Sequence, residues 1–535
     1  MKIKKLSHHI IIVALAITII GCNFFEKQII PLKSVTDHFT TPIDAQLLLD
    51  STRIGRSTII SNLDVPWEIV WGPDNWIWFT EQGGKVSKVN PRTGKKKLLL
   101  EIQEVFRKRT TGLLGMVVHP KFEHFPYVFL NYTLKKEHSI ISRLERYTYT
   151  NGVLVQPKVL LEIPGNTGHN GSRLTIAPDG KLMWATGDIG PNTDNAQNLK
   201  SLNGKILRLN IDGSIPKDNP FLGSPIWSWG QRNVQGLVYG NGNNLYTSEH
   251  GDATDDEINL MRRRGNYGWP NVTGFCDSLE EEVFCKDSTV VLPLKAWTPT
   301  IAPAGLDYYK TDIIPEWKNT LLLTTLKEND LRVLKLNKEG NAILSESILF
   351  NRELGRIRDI CVSPIGDVYL STSNCDWNPS DGFPVDQDDR IVRIFKLNDS
   401  EYEWDDKMLQ VETNLIQDTA KSNTSKGEMH YRQYCSSCHK SNGEGVAGIF
   451  PSLTNSEKVK GSKEELINLA LYGITVNMKK KLGSLYDQSM PGFHFLSDEE
   501  VAETLTYIRQ QFGGDAESIN AQEINDVRVK IDSDD

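Results

Sequence analysis

Several features are scarce in this 535-residue chain, and each scarcity excludes something. Positive charge is not in excess: 60 Lys and Arg stand against 68 Asp and Glu, a formal net charge of −8. No long cluster of Lys or Arg occurs beyond the N-terminus, so nothing in the composition points to nucleic acid as a partner. Long apolar runs are also missing. The one candidate, IIIVALAITII at residues 10–20, is shorter than the ~20 residues that cross a bilayer. It follows the basic MKIKKLSHH and precedes Gly21-Cys22, the layout of a signal peptide. A Cys directly after a small residue at the end of such a stretch reads as a lipoprotein cleavage site. The expectation is therefore an exported protein, held to the membrane by lipid on Cys22, periplasmic or at the outer-membrane face. Cysteine is scarce too, seven in all. With Cys22 given to lipid and Cys435 and Cys438 to the motif described below, Cys276, Cys285, Cys361 and Cys375 remain. Export to an oxidising space makes two disulfides the expectation, with the local pairs Cys276/Cys285 and Cys361/Cys375 preferred among three possible pairings.

Past a signal at 1–22 and a patternless tether at 23–50, residues 51–398 carry short β-rich runs punctuated by Gly, Pro, Asn and Asp. Examples are WGPDNWIWFTEQGGKVSKVN (71–90), IAPDGKLMWATGD (176–188), VYGNGNNLYTSEHGD (238–252), WKNTLLLTTLKENDLRVLKLN (317–337) and VSPIGDVYLSTSN (362–374). Each places a turn before a strand of apolar residues and then a second strand. A hairpin repeated at such intervals argues for a mainly β fold, a six-bladed β-propeller, rather than a sandwich. Residues 399–427 are polar and read as a linker. From 428 to 513 the period becomes helical, with SKEELINLALYG (462–473) and SDEEVAETLTYIRQQF (497–512). The second begins with a capping box, Ser497 and Glu500. The tail at 514–535 carries seven carboxylates and two basic residues from 515 onward and is expected to be disordered.

Within the small all-α domain, Cys435-Ser-Ser-Cys438-His439 is the spacing at which two thiols add across haem vinyl groups and the next residue supplies an imidazole to the iron. Zinc would need two further ligands, and a redox dithiol would not need the His. The sixth iron ligand should precede the last helix. Met490, in SMPGF beside Phe493 and Phe495, is preferred to Met478 in VNMKKK. The segment resembles class I cytochromes c, which implies a haem c that carries single electrons.

A haem domain joined to a propeller suggests that the propeller supplies electrons. Its phrases GLLGMVVHP, GHNGSRL, GKILRLNIDGSIPKDNPF, GQRNVQGLVYG, SEHGDATDDEINLMRRRGNYGWPNV and GRIRDI resemble the soluble glucose and aldose sugar dehydrogenases that use pyrroloquinoline quinone (PQQ), a family grouped with sorbosone dehydrogenases. The resemblance implies oxidation of a sugar or polyol CH–OH group. It implies a catalytic set of His169 as base, Asp188 beside it, and Arg232 near the quinone. The quinone's carboxylates would be held by Arg232, Asn233, Lys327, Arg356 and Arg358, the last two on one face of an extended segment. Calcium is implied on the carbonyls of Gly251 and Asp252, with a second, structural ion around Glu257, Tyr267 and Asp277. The chain departs from the family at Thr110 and Gly168, where the glucose enzymes carry an amide and an Asp near the sugar, so glucose as substrate does not follow. Electrons would leave the haem for a cytochrome or a respiratory chain. Two rival readings are a calcium-dependent lactonase, which would need no cationic quinone pocket, and a propeller that binds glycan or protein beside an electron-transfer haem domain.

Overall fold

The structure is a computed structural model that describes residues 41–190, 192–398, 409–410, 425–474, 489–514 and 516–532. The signal segment, Cys22 and Met478 lie outside the described residues.

The repeating turns form first. In Gly72-Pro73-Asp74-Asn75 the Gly72 N–H donates to Trp76 O at 2.7 Å and Asp74 accepts the Trp78 indole N–H at 2.8 Å. The later copies close in the same way, with Ala177 N–H on Lys181 O and Ser363 N–H on Asp367 O, both at 2.8 Å. Each turn folds an inner strand against a second strand that is buried on both faces, such as Ile77–Glu81, Leu182–Thr186 and Val368–Thr372. Fully buried strands tolerate a continuous apolar run, which explains why alternation is weakest there.

Six sheets result. Five have four strands, and the sixth has six. The inner strands Pro66–Trp71, Leu113–Val118, Gly171–Ile176, Val234–Tyr239, Pro303–Tyr309 and Ile357–Val362 pack on one another around a ring, first against last. The ring is closed by chain ends: Arg53–Ile60 pairs antiparallel with Ile391–Lys396 in the last blade. Ala45–Leu48 and Leu409–Gln410 extend that blade, so parts of the expected tether and linker are strands. The core lies between blades, for example where Trp78 meets Met116, Leu130 and Tyr132. In all six blades the register shifts near the start of the inner strand. Such bulges turn side chains out of the ladder, here at the end of the ring where the site lies.

In the C-terminal region, the helix Lys426–His430 crosses Asp498–Phe512. A Cβ at Gly427 would stand 2.2 Å from Glu503 O, so only glycine permits this approach. Ser497 and Glu500 form the capping box. Two expectations need correction. The tail is a helix over Ala521–Asp532 rather than disordered: Ile519, Ile524 and Val527 are buried in the domain core, while Arg528 holds Asp498 and the carbonyls of His494 and Leu496. Its sparse apolar residues are masked by acidic neighbours in the sequence. Cys276 and Cys285 are bonded, but Cys361 and Cys375 are free. Cys361 pairs in register with Tyr369, whereas Cys375 follows the far end of that strand, past Thr372 opposite Ile357. Several residues at ~3.3 Å each separate them, beyond disulfide reach.

Candidate functional site

A cavity of about 300 Å³ opens at the end of the ring where the bulges lie. Its rim comes from the residues that precede each inner strand and those that follow each second strand. His169 reaches it from a left-handed backbone conformation, φ 52°, fixed by close packing. Ile189 N–H donates to His169 O at 3.1 Å, and a Cβ at Gly187 would stand 2.0 Å from that same oxygen. The Gly of ATGD is therefore required by the His169 loop.

Asp188 sits behind the imidazole with no exposed side-chain surface. Its Oδ1 is 2.8 Å from His169 Nδ1 and accepts Gly190 N–H at 2.9 Å, while Oδ2 accepts the Trp269 indole N–H at 2.8 Å. Burial opposes its charge, but His169 and Arg232 prevail and hold the carboxyl below the ordinary carboxylate range. A carboxylate on Nδ1 selects the tautomer with its proton there and leaves Nε2 as the basic nitrogen.

The remaining wall is cationic. Five cations line it, Arg109, Arg232, Lys327, Arg356 and Arg358, against three carboxylates, Asp252, Asp256 and Asp376. Arg232 pairs with Asp252 at 2.7 Å and lies over the Trp269 ring. Asn233 accepts Gly171 N–H, and Lys327 donates to Thr300 at 2.9 Å. Arg356 grips Asp376 through Nε and Nη2, while Arg358 reaches Gln235 at 3.2 Å. Burial lowers the Lys327 ammonium and pushes Arg358 down to about 10. It also takes His250 to about 3, aided by Arg232 and Arg358, so His250 is a neutral ring. The Nε atoms of Arg232 and Arg358 and His250 Nε2 are buried without a protein partner. The two guanidinium N–H donors cost roughly 1–3 kcal/mol each unless a ligand satisfies them, so the wall suits a compact polyanion.

Gly251 and Asp252 line the same cavity. Glu257 accepts Gly274 N–H and the Asn259 amide, and burial pushes its carboxyl up to about 7. The Tyr267 hydroxyl donates to Leu260 O. Among the described residues no three His, Cys, Asp or Glu converge as a metal cluster.

In the helical domain Cys435 and Cys438 are not joined in a disulfide. His439 Nδ1 is 2.9 Å from Pro451 O, which leaves Nε2 available to an iron. Met490 is held by a two-stranded bridge to Ile474 and packs on the domain core, near the aromatic group Tyr434, Phe493 and Phe495. These donors suit haem c. Cys438 also lines the propeller cavity, which places the motif against the site.

Gln82, Arg109, Gln235, His250, Asp376 and Trp377 also line the cavity and escaped sequence reasoning. Aligning the repeats at the end of each second strand would have found Gln82 and His250, each the first residue after its strand.

Fold and site define a β-propeller with a cation-lined axial pocket joined to a small helical domain that carries the Cys-x-x-Cys-His motif. The family described as Glucose / Sorbosone dehydrogenase matches residues 63–378, and Cytochrome c matches 424–512; the chain belongs to the first family and carries a domain of the second. It is 32% identical to quinoprotein glucose dehydrogenase B of Acinetobacter calcoaceticus over 64% of this chain and 90% of that protein. The PQQ-bound aldose sugar dehydrogenase of Streptomyces coelicolor superposes with a TM-score of 0.56 at 30% identity, covering 64% and 96%. Cytochrome c-552 of Thermus thermophilus is 34% identical over 18% of this chain and 79% of its own length.

Proposed function

We propose that the protein oxidises a CH–OH group of an aldose or related polyol in the propeller pocket, using PQQ, and passes the electrons to haem c attached to Cys435 and Cys438. The observation that carries this reading is His169, backed by Asp188, on the wall of a pocket where the buried Nε donors of Arg232 and Arg358 lack protein partners. When bound, PQQ supplies the two-electron acceptor for the substrate hydride and haem c the single-electron carrier beyond it.

The chain's own residues do the rest. His169 Nε2 accepts the proton of the substrate hydroxyl, and Asp188 holds the ring and stabilises the imidazolium so formed. Arg232, Arg356 and Arg358, with Lys327 and Asn233, would hold the carboxylates of the quinone. Gly251 and Asp252 would offer backbone carbonyls to calcium, a hard oxygen-seeking ion. His439 and Met490 would ligate the haem iron. The pocket's cations weigh against a lactonase, which needs no polyanion site. Cys22 would carry lipid and hold the exported protein at a membrane, where a cytochrome or respiratory chain takes the electrons.

The test is equilibrium binding of PQQ, followed by tryptophan fluorescence, to wild type and to the Arg232→Ala/Arg358→Ala variant. Tight binding by wild type, weakened at least a hundredfold in the variant, supports the assignment. Equal binding by both, or none by wild type, overturns it.

A further inference from the structure

Thr110 and Gly168, the positions where polar sugar contacts are missing, border a wall that continues out of the propeller. Thr110 donates its hydroxyl to Thr167 O at 2.7 Å. Gly168 has no side chain, and the nearest atom to a Cβ built there is Arg109 Nη2 at 3.8 Å. The Arg109 guanidinium lies over the Trp377 ring at 5.1 Å. Trp377 in turn meets Phe450 of the cytochrome c domain, ring centres 5.9 Å apart. Phe450, Ser437 and Cys438 all line the same cavity as His169.

The contact that seats this wall is polar and specific. Lys440 donates to Asn378 Oδ1 at 2.6 Å and to Pro379 O at 2.7 Å, the Asn378 amide donates to Ser437 O at 3.1 Å, and Ser441 N–H donates to Asp381 at 3.1 Å. Lys440 directly follows the Cys-x-x-Cys-His motif, so docking and haem attachment share one short segment.

We propose that Phe450 is a specificity-determining residue of the sugar site, contributed by the cytochrome c domain and backed by Trp377, and that the docked domain limits the site to small sugars. This rests on the dehydrogenase reading of the pocket. The aromatic pair and Arg109 take the side of the site that Thr110 and Gly168 border. Selection there is by size, with Phe450 as the outer limit.

The experiment compares kcat/KM for a monosaccharide and a disaccharide, with a soluble dye as electron acceptor, in the PQQ-loaded full chain. Because a hydrophobic pocket discriminates by about tenfold or more per small change in volume, Phe450→Ala should raise the disaccharide-to-monosaccharide ratio about tenfold, and Phe450→Tyr should keep the wild-type ratio. An unchanged ratio in Phe450→Ala overturns the proposal. Backbone hydrogen exchange at 374–381 and 436–452 tests docking without turnover. Protection in wild type that is lost in Lys440→Ala supports the wall, and equal exchange in both overturns it. If wild type oxidises no sugar with any dye, the dehydrogenase reading has failed, and the exchange result still decides whether the domain closes the cavity.

Discussion

Replacing Asp188 with Asn tests the site most sharply, because the carboxylate's three partners are all donors. Oδ1 meets His169 Nδ1 and Gly190 N–H, and Oδ2 meets the Trp269 indole N–H. An amide offers one acceptor and one donor group. If its NH₂ faces Trp269, two donors collide. If it faces His169, Nδ1 must accept, and the ring proton moves to Nε2, the atom needed as base. Either arrangement removes the negative charge that stabilises the imidazolium. A general base contributes about 10²–10⁴-fold, so kcat should fall by about that range while KM stays within about threefold, because Asp188 does not line the cavity. The assay is steady-state sugar oxidation by PQQ-loaded protein with a dye acceptor. A kcat within threefold of wild type, in a variant that binds PQQ normally, would refute the reasoning.

Gly168→Asp fills open space beside Arg109 and restores a hydroxyl-binding carboxylate; KM for aldoses should fall severalfold, and an unchanged KM would contradict a substrate-facing Gly168. On the propeller axis, Arg173 is shared by Glu68 at 2.6 Å and Asp359 at 2.8 Å. Burial, with Asp359 adding to it and Arg173 opposing, pushes Glu68 up to about 8 from 4.5. The folded chain thus holds a proton the unfolded chain has released between those values, so stability falls as pH rises through that window. Glu68→Gln should flatten that part of the denaturation-midpoint profile, and an identical slope in the variant would count against it. Deleting 516–535 exposes the surface that buries Ile519, Ile524 and Val527, a loss of roughly 4–6 kcal/mol. Melting followed by haem absorbance should drop markedly, whereas a disordered tail would leave it unchanged.

The propeller was legible because its turns repeat in sequence and each closes with the same local hydrogen bonds. The haem motif was legible because its chemistry demands contiguous residues. Other features depend on contacts remote in sequence. The six bulges that turn side chains toward the pocket leave no local signal. The Trp377 and Phe450 pair joins positions 73 residues apart in separate domains, and neither aromatic is distinctive alone. The last helix was hidden by composition: three apolar residues among many charges suffice when the domain core receives them and Arg528 of the same helix holds Asp498. Cys361 and Cys375 looked close in sequence, but the hairpin that carries them places them toward opposite ends.

The most direct test of the central claim is optical. Purified protein with haem attached is mixed anaerobically with PQQ and calcium, an aldose is added, and the haem absorbance is followed. The account predicts reduction of the haem only when quinone and sugar are both present, and its loss in His169→Ala. Haem that stays oxidised in the fully loaded protein with every aldose and polyol tried, or that is reduced equally well without quinone, would contradict it.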